Sequence, residues 1–147
     1  FEGKTEAADL DKKTIGGTWG SATSCLKEGE VEIENTAVRE VVDSVISKIR
    51  KNDNLMANYV AKYFNLLSKQ IENMIPRLKT GATIVYVVGN SEIKGVYVET
   101  DRLLAEAMNA MDLGLKVKVV ERFRKRNSGV DLYESSVIAE YSSENLD

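Results

Sequence analysis

The residues best placed to do chemistry are a carboxamide and a hydroxyl at the end of an apolar run. Ile84-Val85-Tyr86-Val87-Val88 is unbroken and mostly β-branched, has Gly81 and Gly89 beside it, and leads straight into Asn90-Ser91. Such a run predicts a strand buried on both faces, in the middle of a parallel sheet covered by helices. Sheets of that kind bind ligands where strands end, so Asn90 and Ser91 are candidate substrate contacts. The same residues would also serve as a turn whose side chains bond their own backbone. A second candidate is basic. Between positions 116 and 126, six basic residues (Lys116, Lys118, Arg122, Arg124, Lys125, Arg126) stand against one acidic residue, Glu121, with Phe123 among them. They could meet phosphates while Phe123 lies by a base, or they could simply guard a strand edge.

Composition removes other chemistries. The 147 residues contain no histidine, which excludes His-based triads and most zinc sites. Cys25 is the one cysteine, so no intrachain disulfide forms, and the usage fits a reducing, cytoplasmic setting. With no His or second Cys to activate it, Cys25 reads as an inert thiol. Net charge is −3, so any nucleic-acid footprint must be local. The apolar runs are too short to span a bilayer and no signal peptide opens the chain, so no membrane partner is expected.

The elements that must position these residues follow from periodicity. Residues 1–30 carry Gly3, Gly16, Gly17, Gly20 and Gly29 without a helical period, and read as an irregular arm before one α/β domain over 31–147. Trp19 in that arm either stacks on a base or partner or pins the loop to the core. Val38, Val41, Val42, Val45, Ile46 and Ile49 predict an amphipathic helix over 35–50, capped by Asn35 or Thr36. Asn54 would cap a second helix running to about Lys79, with a kink or fresh turn at Pro76. Its Tyr59, Tyr63 and Phe64 form an aromatic platform or, at helical spacing, part of the core. Residues 92–99 read as a polar loop with a short extended piece. Thr100 would cap a third helix ended by Gly114. Leu115–Arg126 and Leu132–Tyr141, around Asn127-Ser128-Gly129, predict a β-hairpin.

In this order the pieces resemble a known family. Leu78-Lys79-Thr80-Gly81-Ala82, running into Ile84–Val88 and Gly89-Asn90-Ser91, resembles the fifth-strand region of S-adenosylmethionine-dependent methyltransferases. There a helix ends in Leu-Lys-Pro-Gly-Gly before a buried strand, and here Thr80 and Ala82 replace the proline and second glycine. The helix from Asp101, the stretch Arg122–Ser128 and the strand Leu132–Ile138 are similar to the last helix and closing hairpin of DNA methylases acting on the exocyclic amine of adenine or cytosine. The resemblance covers about residues 54–141. It implies the C-terminal part of a Rossmann-like methyltransferase sheet, with a buried parallel strand, flanking helices and a closing antiparallel hairpin. It further implies that Asn90, Ser91, Arg124, Asn127 and Ser128 touch the substrate, while Lys116, Lys118, Arg122, Lys125 and Arg126 contact DNA near the pocket for a flipped base.

The family's Phe-x-Gly-x-Gly cofactor loop and its Pro-Pro catalytic motif are missing, since Pro76 is the only proline. The resemblance therefore implies that S-adenosylmethionine binds in the completed enzyme and not to this chain alone. The first residue, Phe1, fits a piece of a longer or split protein. Two other readings stand beside this one. One is an RNA or small-molecule methyltransferase fragment, because fold does not fix substrate. The other is a non-catalytic α/β nucleic-acid-binding or assembly module. In each case the central strand needs a neighbour on its second edge, from a homodimer partner or the missing half.

Overall fold

The computed structural model describes residues 30–126 and 132–145. Among these residues three α-helices and two antiparallel sheets make a mixed α/β fold: α1 (Thr36–Asn52), α2 (Asn54–Met74), β1 (Thr83–Gly89), β2 (Ser91–Ile93), β3 (Val96–Val98), α3 (Thr100–Ala110), β4 (Leu115–Arg126) and β5 (Leu132–Tyr141). α1 begins as its sequence predicts, with the Asn35 side chain accepting from the Val38 N–H. Its valines and isoleucines are held by burial, since Val38, Val42, Ile46 and Ile49 all face the core. α2 is capped one residue earlier than expected, by Asp53, whose carboxylate accepts from the Met56 N–H. The ladder stops at Met74, and Ile75–Arg77 forms a 3-10 turn around Pro76, whose nitrogen has no hydrogen to donate.

Residues 92–99, expected to be a polar loop with a short extended piece, belong largely to a small hairpin of two extended strands. β2 and β3 pair through the two-residue turn Lys94-Gly95, both with positive φ (51° and 81°). That turn matches the twist of the flanking strands, and Gly95 supplies the conformation without a steric cost. It rests on the corner between α1 and α2, where Asn52 Nδ2 donates to the Lys94 carbonyl and the Lys94 ammonium lies 3.4 Å from Asp53.

The larger sheet has the order β1-β5-β4, and every pair in it is antiparallel. Among the described residues this sheet shows no parallel pair: β1 has one neighbour, β5, and runs against it. The expected burial on both faces is corrected to burial on one. Ile84 and Val88 are buried, whereas Val85 and Val87 are 54% and 64% exposed. The register aligns Ile84 with Ala139, Tyr86 with Val137 and Val88 with Ser135, so these side chains share one face. Helices cover that face. The Tyr86 hydroxyl donates to Gln70 of α2 at 2.7 Å, and α3 packs on all three strands. Phe64, Ile49, Ile71, Leu104 and Met108 fill the space between helices and sheet.

Candidate functional site

β1 and β4 point the same way, so the end of β1 and the end of β4 lie at one end of the sheet. Gly89 is level with Glu134 on β5, which is level with Arg124 on β4. Asn90 follows, fully buried. Its backbone N–H donates to the Tyr133 carbonyl at 2.9 Å, and its side-chain Nδ2 donates to the Tyr97 hydroxyl at 3.0 Å. One residue therefore joins the end of β1, the closing hairpin and the β2–β3 hairpin. Asn90 thus bridges these elements, its backbone bonding to β5 and its side chain to β3.

Beside it stands a polar cluster built on Asp101. The residue is 1% exposed, and one carboxylate oxygen, Oδ2, accepts from Arg122 Nε at 2.9 Å and from Ser135 Oγ at 2.7 Å. Its Oδ1 accepts from the Arg102 N–H at 2.8 Å. Burial pushes the Asp101 carboxyl upward, but the bonds from Arg122, Ser135 and Arg102 outweigh it and hold the group below the usual carboxylate range. Arg122 is fixed further by Glu99, with Nη2 at 3.2 Å from Oε2, and by the Tyr133 ring, whose centroid lies 5.2 Å from the guanidinium carbon. Its bond to Asp101 holds the guanidinium charged even more firmly than usual. Thr100, expected as a cap, is instead the first residue of α3; Glu99 precedes it without a side-chain cap bond.

A cleft of about 140 Å³ opens on the helix-covered side of this strand end. Tyr59, Tyr63 and Phe64 of α2 form one wall, and Gly89, Ser91 and Thr100 line the other. Phe64 is buried and meets Tyr63 edge-on at 5.5 Å, so the aromatic residues are at once core and cleft wall. Burial pushes the Tyr63 phenol up, and the Tyr59 and Tyr86 phenols add to the shift. The Tyr63 hydroxyl therefore keeps its proton at neutral pH. The cleft is the size of one small ring and falls below the ~300–1,000 Å³ typical of small-molecule sites. It does not suit a whole nucleoside-bearing cofactor. A larger hollow, about 530 Å³, lies elsewhere between α1 and residues 30–33, where Arg39 donates to the Ile33 carbonyl.

The basic stretch divides. Lys116 and Lys118 sit toward the opposite end of β4, roughly 15–25 Å from Arg124 at ~3.3 Å per residue. Arg122 is engaged by Asp101 and Glu99. The backbones of Arg124, Lys125 and Arg126 run beside β5 at the Asn90 end. Asn127 and Ser128 lie outside the described residues, as do Trp19 and Cys25. Sequence reading did not find Tyr97, Glu99, Asp101, Tyr133 or Ser135. The one available hint was an acidic residue in the first turn of a helix, a pattern that usually reports only the helix dipole. Among the described residues no group of three or more metal-ligating side chains is placed to hold an ion. No helix among them is long and apolar enough to cross a membrane. No protein-family model, no curated protein and no solved structure matches the chain.

Proposed function

We propose that this chain is the closing half of a site-specific DNA methyltransferase, forming the substrate-side wall of a pocket in which a base amine receives a methyl group from S-adenosylmethionine. One observation carries the reading: the Asn90 N–H to Tyr133 carbonyl bond, 2.9 Å long. The two stretches that the family resemblance assigns to the substrate, Asn90-Ser91 and the hairpin end at Arg124–Ser128, are more than thirty residues apart in sequence. That bond lies at the end of the sheet where the backbones of Arg124–Arg126 run beside β5, and the neighbouring cleft has aromatic walls and the size of a single ring, which supports the reading.

The chain's own contribution is binding and orientation. An amine methylated at nitrogen must present its lone pair toward the methyl carbon, so the base needs hydrogen-bonding partners and flat walls that fix its tilt. Ser91 and Thr100 supply polar groups at the cleft, the tyrosines of α2 supply walls, and Asn90 holds this strand end in place through Tyr97 and Tyr133. S-Adenosylmethionine would supply the electrophilic methyl group. The small cleft and the missing glycine loop support its being held by another part of the enzyme.

The test is methyl transfer by the full natural polypeptide, purified with any chain that accompanies it, using labelled S-adenosylmethionine and DNA. Label recovered as an N-methylated adenine or cytosine is the expected result. No cofactor binding and no label in DNA or RNA would leave the non-catalytic module as the reading. Label in RNA alone would keep the chemistry and change the substrate.

A further inference from the structure

Thr100 lines the cleft between α2 and the β2–β3 hairpin, is 6% exposed, and its hydroxyl makes no hydrogen bond to a described residue. Buried hydroxyls ordinarily find a partner, so one left open onto a cavity points to something that enters it. The Ser91 and Tyr63 hydroxyls line the same cleft and likewise make no bond to a described residue. The fold brings Ser91 and Thr100 to one wall: Ser91 pairs with Val98 across the hairpin, and Thr100 follows two residues later. Opposite them, Tyr59 and Tyr63 stand four residues apart on α2, one turn above the other on the same helix face. Among the described residues no charged side chain lines the cleft.

We infer that this cleft binds one uncharged six-membered ring with hydrogen-bonding atoms on its edge, a pyrimidine rather than a purine, and that Thr100 and Ser91 bond that edge. Size sets the ring count. The cleft holds about 140 Å³, and a cavity of about 150 Å³ takes a single benzene-sized ring. A fused second ring must push back the α2 wall, where Phe64 is 2% exposed, or stay outside and draw the polar edge away from Thr100. Charge and bonding set the rest. With no ionic group in the lining, a charged ring would lose its hydration without gaining a partner. Hydroxyls both donate and accept, so they suit an edge that carries an amine or carbonyl beside a ring nitrogen. A plain hydrocarbon ring would leave the Thr100 hydroxyl as unsatisfied as before. The inference rests on the methyltransferase reading only for the ring's being a cytosine in DNA.

The experiment titrates free cytosine, adenine and benzene against the full natural polypeptide, purified with any chain that accompanies it, and follows binding by ligand-observed NMR. Cytosine should bind about 10-fold or more tightly than adenine. Thr100→Val keeps the shape of the side chain and removes its hydroxyl. It should weaken cytosine about 5-fold and leave benzene unchanged. Ser91→Ala should do the same, and it decides the matter if the valine also costs benzene its binding. Adenine held as tightly as cytosine overturns the inference. So does cytosine binding that neither substitution weakens, or no binding of cytosine at all. The methyl-transfer assay separates the two claims. Thr100-dependent cytosine binding in a protein that methylates nothing would keep the ring site and remove the methyltransferase. Label recovered in N-methylated adenine, with no preference for cytosine in the titration, would do the reverse.

Discussion

The two edges of the large sheet are built on opposite rules. β4 is guarded: Lys116 and Lys118 are exposed along it, and two bulges, at Lys118 and Phe123, break its register against β5. Charged side chains and bulges deny a neighbouring chain a clean row of backbone partners. Arg122 also ties β4 back to α3 through Asp101. β1 has none of these devices and pairs with β5 residue for residue from Thr83 to Gly89. The contrast teaches that β4 is built as an edge, while β1 carries no such guard among the described residues.

The two faces of β1 give the largest expected effect. Ile84→Ala, on the helix-covered face, should cost about 3 kcal/mol, from lost burial plus the cavity left behind. Val85→Ala, the next residue on the bare face, should change stability by less than about 0.5 kcal/mol in this chain. Chemical denaturation of both variants checks the pair. Equal losses would mean that the valine face is covered within the 147 residues, and the contrast would fail.

The next effect belongs to the tie that anchors β4. Asp101→Asn should cost about 2 kcal/mol, less than the ~3–5 of a fully buried broken pair, because the Arg122 side chain is 41% exposed and water screens part of the loss. The pH dependence has a definite sign. The folded carboxyl is held below its ordinary value, so its stabilisation is complete above about pH 4 and disappears as pH falls through the folded value. Thermal melts between pH 7 and pH 2 should show the wild type losing more stability than Asp101→Asn below about pH 4. Parallel curves would show that Asp101 does not anchor the hairpin.

How far the sequence reveals this arrangement depends on the range of the interaction. α1 was legible from its valine and isoleucine spacing and its Asn35 cap, the break at Pro76 from a missing N–H, and the closing hairpin from two extended stretches about a turn signal. Those signals are local. The β1 run misled because a β-branched strand reads alike whether its second face is filled or bare; burial is set by elements the run does not contain. The Asp101–Arg122–Ser135 cluster was invisible because its members are 21 and 34 residues apart. A bulge also shifts the register between Arg122 and Arg124, so counting back from the turn does not align Arg122 with Ser135.

A smaller effect sits where β4 begins. Gly114 has φ +87°, and a Cβ there would meet the Tyr141 ring at 2.8 Å and the Ser142 carbonyl oxygen at 2.9 Å. That carbonyl belongs to the residue whose N–H donates to the Gly114 oxygen, so the backbone has little freedom to withdraw. Gly114→Ala should cost about 1–2 kcal/mol from the conformation and the contact together. The measurement is urea denaturation beside Gly81→Ala, where φ is +95° but no atom lies within 4 Å of the added methyl group. The alanine at 114 should be the more destabilising of the two.

The smallest effect on stability tests the contrast between the edges most directly. Lys116→Val with Lys118→Val removes exposed charges that hold no ion pair among the described residues, so the fold should keep its stability within about 0.5 kcal/mol. If those lysines are guards, their loss should make β4 a second unprotected edge, and this chain should associate at lower concentration than the wild type by sedimentation velocity. The reverse change, Val85→Lys with Val87→Lys, should reduce whatever association the wild type shows. Both bulges remain in the β4 variant, so its new association should be weaker than that of a flat edge. If the β4 lysines go without any gain in association, the bulges alone guard that edge, and charge is not what distinguishes it from β1.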